Sequence, residues 1–245
     1  MTARRRSGRG WLAGILILAI ALFVALGVWQ VQRRTWKHAL IAAVEGRVHA
    51  PASPAPPLAQ WLHVTAASDE YRHIRLAGTY LPGRDSFVRA VTDYGAGYWV
   101  MTPLRLPDGA IVMVNRGFVP PDRRAAVRLS TARPVAIAGL LRISEPGGGF
   151  LRRNDPASDA WYSRDVGVIA KRRGLAGPIA PWFLDLEAPP RQPAGRYPIP
   201  GLTVVRFPDN HAVYALTWFA MAALCLWALW RLVWRANNGK EAAQE

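Results

Sequence analysis

The sequence predicts a membrane protein in which two transmembrane α-helices flank a β-rich (α+β), mainly antiparallel extracytoplasmic domain. Residues 11–29 and residues 212–230 each run for 19 positions without a charged side chain. About 20 mostly apolar residues cross the hydrocarbon core of a bilayer as a helix, so both segments qualify. Between them, short strand-like segments are separated by Gly- and Pro-containing turns. We therefore divide the chain into a cytoplasmic tail 1–10, transmembrane helix 11–31, periplasmic β-rich domain 32–210, transmembrane helix 211–231 and cytoplasmic tail 232–245.

The first apolar segment also has the general form of a secretory signal peptide, because the basic run RRRSGRG precedes it. Two features favour a retained helix instead. The segment is longer than the apolar core of a typical signal peptide, and the sequence GVWQVQRR at its end contains no A-x-A-like cleavage site. We expect this segment to remain in the protein as a membrane span.

The chain is basic, with a formal net charge of +15. Residues 33–211 carry 24 Lys+Arg and 14 Asp+Glu, so 24 − 14 leaves +10 between the two predicted helices. Such an excess suits nucleic acid, anionic lipid or an acidic ligand. Two membrane spans make nucleic acid the least favoured of the three, and we expect no nucleic-acid partner. An arginine-rich genome composition also accounts for much of the excess.

Basic residues near both ends of the chain favour cytoplasmic termini by the positive-inside rule. They are Arg4, Arg5, Arg6, Arg9, Arg231, Arg235 and Lys240. Arg33, Arg34 and Lys37 beyond the first span weaken this bias, but long connections cross the membrane largely regardless of their charge. We expect a multi-pass protein of the plasma (inner) membrane, with its main domain in the periplasm and membrane lipids around its spans.

The segment between the spans is predicted to be a short-stranded β domain with one helix. Residues 71–92 predict two strands around the turn LPGR, and residues 98–119 predict a hairpin whose turn is PDGA. Further strands are expected in RPVAIAGLLRI, WFLDLE and LTVVRF. Ser163 is a candidate cap for a helix that ends before Gly174, and residues 51–60 form a Pro/Ala linker. These elements favour a small barrel or sandwich with an attached helix.

The sequence contains none of the common catalytic or nucleotide-binding motifs, so we expect no enzyme activity and no catalytic residues. The five histidines are not paired at the spacing of metal ligands on a helix, and no pair of carboxylates stands out. The one cysteine, Cys225, lies inside the second predicted span. The domain between the spans therefore has neither a disulfide nor a thiolate cluster for copper or zinc.

Four patches of sequence carry a family resemblance. They are LGVWQVQRRTWKHALI (26–41), RLAGTY (75–80), TPLRLPDGAIVMVNRGFVP (102–120) and NHAVYALTWFAMA (210–222). Their order and spacing resemble the surfeit locus protein one family, assembly factors for the haem–copper enzyme cytochrome c oxidase. Two positions depart from the family pattern. Phe118 stands where the family usually has Trp, and Ala212 follows the histidine where a large apolar residue is common.

The resemblance implies a two-span membrane protein that acts as a chaperone in respiratory chain biogenesis and has no catalysis of its own. Its expected partners are the catalytic subunit of the haem–copper oxidase and haem a synthase. The expected moment of action is the placement of haem a in that subunit. Bacterial members are thought to bind haem a through the histidine that opens the second span, which is His211 here. Whether the client is a cytochrome c oxidase or a quinol oxidase stays open.

A site around His211 is also physically reasonable. His211, Tyr214 and Trp218 share one helix face at i, i+3 and i+7. A neutral imidazole is a common iron ligand, and the two aromatic rings could flank a porphyrin. The end of the first span would add Trp29, Gln30, Arg33 and Arg34. An arginine there could bind the haem propionates bidentately.

An ordinary interpretation of the same residues remains open, because Trp, Tyr and basic residues collect at membrane interfaces without any ligand. Five further residues are expected to be structural or to contact a partner. They are Gly78, Tyr80, Asn115, Arg116 and Gly117. Among them, Gly117 is expected to allow a bulge or a close backbone approach in its strand.

Two alternative functions stay open as well. One is a protein-interaction scaffold for a membrane complex that binds no cofactor. The other is a membrane-tethered enzyme or a lipid- or ligand-binding domain, which a deep polar pocket in the β domain would support.

Overall fold

The structure of the protein is a computed structural model that describes residues 2–127, 131–149, 151–191, 195–203 and 209–241, without the side chains of 2–9 and 236–241. The chain forms two compact units, a helical unit (residues 1–42 and 206–245) and a β unit (residues 43–205). In chain order the elements are α1 (Thr2–His49), β1 (Ser53–Pro54), α2 (Ala66–Asp69), β2 (His73–Tyr80), β3 (Ser86–Thr92), β4 (Gly95–Arg105), β5 (Ile111–Val119), β6 (Arg133–Ile143), β7 (Gly148–Gly149), β8 (Arg152–Arg153), α3 (Val166–Arg172), β9 (Ile179–Leu186) and α4 (His211–Glu241).

Both long helices contain a segment that is long and apolar enough to cross a membrane. These segments are Gly10–His49 in α1 and His211–Arg235 in α4, which contain 18-residue stretches with mean hydropathies of 2.7 and 1.9. Helix α1 continues well past the predicted span 11–31. The added segment contains mostly good helix formers, and Pro51 then disfavours helical geometry at the residue before it.

The sheet of the β unit closes on itself. Its seven strands follow the order β1-β2-β6-β9-β5-β4-β3, and β2 also pairs with β4 through Thr79↔Arg105 and Tyr80↔Leu104. Strands β2, β6, β9, β5 and β4 therefore form a small closed barrel, which leaves no free edge among these five strands. A small barrel with an attached helix was one of the two architectures that the sequence favoured.

The sheet is mixed rather than mainly antiparallel, which corrects the prediction. Strand β1 pairs with β2 in parallel, and β9 pairs with β5 in parallel. The second pairing arises because the chain leaves β5, forms β6 and α3, and returns to insert β9 between β5 and β6. The two strands around LPGR also do not pair with each other, since β2 pairs with β6 while β3 pairs with β4.

Strands β5 and β9 are buried on both faces. Trp182 and Leu184 of β9 join the main core cluster, whereas Phe183 between them packs in a second cluster with Met113 of β5 and Ile169 of α3. Successive side chains of a strand point to opposite faces. Strands covered on both sides accordingly show continuous apolar runs, here IVMV and WFL.

Helix α3 begins two residues later than predicted. Asp165 is its N-cap and accepts a hydrogen bond from the backbone N–H of Val168 at 3.2 Å. Ser163, the predicted cap, instead donates its hydroxyl to the carbonyl of Glu145 at 2.7 Å. Both residue types can cap a helix, and the long-range contact of Ser163 decides between them.

The predicted irregular linker 51–60 is partly ordered, and the predicted strand LTVVRF is only partly described. Within the linker, β1 pairs with β2, and a 3-10 helix over Leu58–His63 starts in it and buries Trp61. In the predicted strand LTVVRF, the residues from Val204 onward lie outside the part of the chain that the structure describes.

A bulge in β5 depends on Gly117. Between the pairs Trp99↔Phe118 and Met101↔Asn115, β5 carries one more residue than β4. Gly117 has φ +122°, and the backbone of Ile199 and Pro200 fills the space that a Cβ atom would need. The same approach allows Phe118 and Ile199 to exchange two backbone hydrogen bonds of 2.8 Å. Glycine thus serves here both for its backbone conformation and for its lack of a side chain.

Replacing Gly117 with alanine should destabilise the β unit by at least about 2 kcal/mol, because strain at positive φ adds to a collision with backbone atoms. Gly109→Ala is the matched control. Gly109 also has a positive φ, +84°, but a Cβ there meets nothing within 4 Å, so we expect a loss of about 1 kcal/mol from strain alone. Thermal unfolding in detergent measures both. Equal losses would show that the approach of Ile199 does not constrain the bulge.

Candidate functional site

His211 opens α4 and contacts the end of the first predicted span. Its Nδ1 lies 2.8 Å from Oε1 of Gln30 on α1. An amide oxygen only accepts hydrogen bonds, so Nδ1 carries the proton and donates it to Gln30. In the neutral form of the ring, the lone pair is then on Nε2. Among the residues that the structure describes, none forms a hydrogen bond with that nitrogen. Nε2 is therefore the atom that a metal could use.

Asp209 organises the neighbouring polar groups of the helical unit. Its carboxylate lies 2.5 Å from Nε2 of His38, accepts the backbone N–H of His211 at 3.0 Å, and lies 3.6 Å from Nε of Arg34. The hydrogen bonds from His38 and then from His211 lower the pKa of the Asp209 carboxyl. Neither Asp209 nor His38 was among the predicted site residues. Gln30, Arg34 and His38 follow each other at i, i+4 and i+8 on α1, and this spacing could have revealed their shared face.

The other predicted residues of this site take different positions. Trp29 and Tyr214 are exposed. Arg33 is exposed and lies over the ring of Trp36 at 4.1 Å. Trp218 stacks on Phe23 of α1, with ring centroids 5.7 Å apart. The structure therefore brings His211 and Gln30 together, keeps Trp29, Tyr214 and Arg33 on exposed surfaces, and uses the ring of Trp218 in packing between the helices.

A cavity of about 450 Å³ lies beside these polar groups in the helical unit. It is lined by Val31, Arg34, Thr35, His38, Ala212 and Ala215. The small side chain of Ala212 leaves room next to His211.

A second polar centre lies in the β unit around Asp185, whose side chain is 3% exposed. Asn115 donates its Nδ2–H to this carboxylate at 2.8 Å, and Thr203 donates its hydroxyl at 2.9 Å. Arg142 and Arg164 donate to it at 3.2 and 3.3 Å. Asn115 thus has an internal role, because a buried carboxylate needs such partners.

Two glutamates extend this centre into an ion network. Arg164 binds the carboxylate of Glu145 at 2.5 and 3.1 Å with two nitrogens, and Arg142 donates to Glu70 at 3.2 Å. Burial alone would raise the pKa of Glu145, but the hydrogen bond and charge of Arg164 outweigh it and hold that pKa below its ordinary value. Burial alone would lower the pKa of Arg142, and the charge of Asp185 reverses this.

The network forms one wall of a cavity of about 640 Å³ in the β unit. Three aromatic side chains, Tyr71, Tyr94 and Trp99, line the same cavity. The cavity volume lies in the range of small-molecule sites. The guanidinium groups of Arg142 and Arg164 and the carboxylate of Asp185 are already paired with each other, which favours a structural role for these three residues.

Arg116 is paired inside the β unit. Its guanidinium lies 3.7 Å from Asp85 and donates to the carbonyl of Val127 at 3.0 Å. It also lies 5.9 Å from the ring of Tyr80. Burial raises the pKa of Tyr80 to about 12. At Gly78, a Cβ atom would collide with the carbonyl of Arg105 where β2 meets β4. Arg116, Tyr80 and Gly78 therefore serve the fold.

No group of three or more His, Cys, Asp or Glu side chains could hold a metal ion within residues 2–127, 131–149, 151–191, 195–203 and 209–241. A haem needs fewer protein ligands than a bare metal ion, because its ring already binds the iron and one axial imidazole can hold it.

The sequence matches the model of the SURF1 family over residues 17–223, a span that includes Gln30 and His211. Surfeit locus protein 1 of Rattus norvegicus is 31% identical in an alignment of 259 residues, which covers 97% of this chain and 80% of the rat protein. That of Mus musculus is 33% identical over 243 residues, covering 90% and 75%. That of Homo sapiens is 30% identical over 260 residues, covering 97% and 83%. The resemblance predicted from four short patches is confirmed.

The ion pair of Glu145 should make the β unit sensitive to acid. Its pKa is lower in the folded protein than in the unfolded chain, so the unfolded chain takes up this proton first as the pH falls. The pair therefore stabilises the fold in full above about pH 4.5 and loses its effect below it. We expect Glu145→Gln to cost about 1 kcal/mol at neutral pH, and to converge with the parent protein once the pH falls below the folded-state pKa of Glu145.

Melting temperatures of both proteins across this pH range measure the effect. Asp122→Asn is the control, because Asp122 pairs with Arg123 at 3.2 Å on the surface and should matter little. A difference in melting temperature between Glu145→Gln and the parent that stays constant with pH would contradict a stabilising ion pair of the ionised Glu145.

Proposed function

The chain belongs to the SURF1 family, and from this premise we propose that it is a membrane-anchored assembly factor for the haem–copper enzyme cytochrome c oxidase. In this proposal both apolar helices cross the inner membrane, the termini are cytoplasmic and the β unit is periplasmic. The protein catalyses no reaction. It assists the catalytic subunit of the oxidase when haem a is placed, and receives its cargo from haem a synthase.

One observation carries the haem part of the proposal, the hydrogen bond of 2.8 Å between His211 and Gln30. A ligating histidine commonly donates its second ring N–H to an acceptor, which fixes the tautomer and the orientation of the ring. Gln30 provides this acceptor before any metal is bound. His211 is half-buried at the start of α4, so its Nε2 is held in place rather than on a mobile side chain.

The surrounding residues fit an amphipathic, dianionic cofactor. His211 would hold the iron, and Arg33 and Arg34, both exposed, would bind the propionates through their guanidinium forks. Trp29 and Tyr214 would cover the faces or edges of the macrocycle. Trp218 would contribute by holding α4 against α1 through its stack on Phe23.

The proposal predicts a haem a complex that depends on His211. The protein purified in detergent from cells that produce haem a should carry close to one haem per chain, visible as a Soret band. His211→Ala should weaken binding by at least about 100-fold, and Gln30→Ala by about 10-fold, in line with losses at outer-shell partners. The measurement is titration of haem a into each variant by absorbance.

His38→Ala is the matched control for this experiment. His38 is also a histidine of the helical unit, but its Nε2 is bonded to Asp209, so we expect little change in affinity. If His211→Ala and the parent protein gave the same spectra and affinities, His211 would be removed from the site. Equal losses in His38→Ala and His211→Ala would indicate a general disturbance of the helix pair.

The cavity of about 640 Å³ in the β unit favours a second candidate, a ligand-binding domain that needs no haem. Native mass spectrometry of the detergent-purified protein distinguishes the two. A small molecule other than haem that is retained in His211→Ala but lost when Trp99 is replaced by alanine would support the second function.

A further inference from the structure

Three arginines of the β unit lie on aromatic rings. The guanidinium groups of Arg89 and Arg152 are 5.4 and 5.5 Å from the ring of Tyr162. The guanidinium of Arg124 is 4.5 Å from the ring of Phe87 and also lies over Tyr98. An aromatic face attracts a cation and restricts its orientation. These three cations are therefore held in position before any partner binds.

None of these three arginines has a carboxylate partner in the part of the chain that the structure describes. The contrast with Arg142 and Arg164, which bind three carboxylates between them, is clear. The Nε atom of Arg124 is closed off from solvent and also lacks a hydrogen-bond partner. Among the described residues, no carboxylate forms an ion pair with this guanidinium.

The three arginines line two adjoining clefts, which we call the arginine clefts. One of about 400 Å³ is lined by Arg89, Tyr98, Arg152 and Tyr162 among others, and one of about 340 Å³ by Phe87, Arg89, Tyr98, Arg124 and Asp159 among others. Arg89 and Tyr98 belong to both. The carboxylate of Asp159 is occupied, because Arg173 binds its two oxygens at 2.6 and 2.8 Å. Both clefts therefore present cations to an incoming group.

We propose that the arginine clefts bind the carboxylate side chains of an acidic segment of a partner protein. A guanidinium fork matches a carboxylate bidentately while its flat face stays on a ring. The proposal goes beyond haem binding and does not depend on it, since every residue that it uses lies in the β unit.

The composition of the surface favours a protein over a lipid headgroup. Arg and Tyr are both enriched at the centres of protein interfaces, and Tyr98 and Tyr162 line the same clefts as the three arginines. Val91 and Leu151, next to this surface in the chain, are 86% and 88% exposed and offer apolar contacts beside the charges. Arg89 and Arg152 are exposed and line a cleft, which suits side chains that enter it better than a flat layer of headgroups.

The test uses the full chain in phosphatidylcholine nanodiscs and a fluorescent peptide of ten glutamates, with a peptide of ten glutamines as the uncharged control. We expect the glutamate peptide to bind and to be released by salt. The double variant Arg89→Gln/Arg152→Gln should weaken binding about tenfold, and Arg124→Gln about threefold.

Arg123→Gln is the matched control, with the same change of charge one residue from Arg124. Arg123 is exposed and paired with Asp122, so the Arg123→Gln variant should bind the glutamate peptide with the affinity of the parent protein. Circular dichroism and melting temperatures verify that each variant is folded.

Three results would overturn the proposal. The first is an equal loss in Arg123→Gln, which would reduce the effect to net charge. The second is equal binding of the glutamine peptide, or no binding of the glutamate peptide. The third is binding to phosphatidylserine vesicles that is lost in the cleft variants while the peptide does not bind, which would assign the surface to lipid.

Discussion

The β unit depends on the satisfaction of one buried carboxylate. Asp185 lies on β9, the strand that enters the barrel between β5 and β6. A buried charge without partners would cost several kcal/mol, and here Asn115 reaches it from β5 and Arg142 from β6. Two of its partners thus come from the two strands that flank β9, while Arg164 and Thr203 reach it from outside the sheet. The cavity wall and the ion network to Glu145 follow from the same arrangement.

In the helical unit, apolar packing between α1 and α4 accompanies a small number of polar contacts. Gly27 lets α1 approach the ring of Phe219 so closely that a Cβ atom would lie 2.5 Å from a ring carbon, as is common where apolar helices pack. The stack of Phe23 on Trp218 adds a second contact. With the helices packed in this way, Gln30 faces His211. A hydrogen bond between two apolar helices also restricts their register, so the residue proposed to bind iron also helps to align the pair.

Much of this arrangement could be predicted from the sequence. The long uncharged segments identify α1 and α4, and PDGA identifies the hairpin of β4 and β5, because these signals are local. The parallel pairing of β5 with β9 could not be predicted, since it joins residues about 70 positions apart through tertiary packing. The contact of Ser163 with Glu145 is long-range too, and with Ser163 engaged there, Asp165 is the N-cap of α3.

The candidate sites divide in the same way. His211 and Gln30 could be chosen from a motif at each span end, but their hydrogen bond depends on the packing of two distant helices. Arg89, Arg124 and Arg152 carry no local motif. The three arginines lie near one another because β3, β4 and the loops around these strands are packed together. The aromatic rings that they contact in the structure identify the surface.

A measurement in cells tests whether His211 serves the delivery of haem a to the oxidase. The chromosomal gene is replaced by the His211→Ala variant, with deletion of the gene and the His38→Ala variant in parallel. The haem a content of the assembled oxidase is then read from optical spectra of the membranes. We expect a reduced haem a band for the deletion and for His211→Ala, and a band close to that of the parent for His38→Ala. An unchanged haem a band in the deletion and in His211→Ala would contradict a role of His211 in haem a delivery.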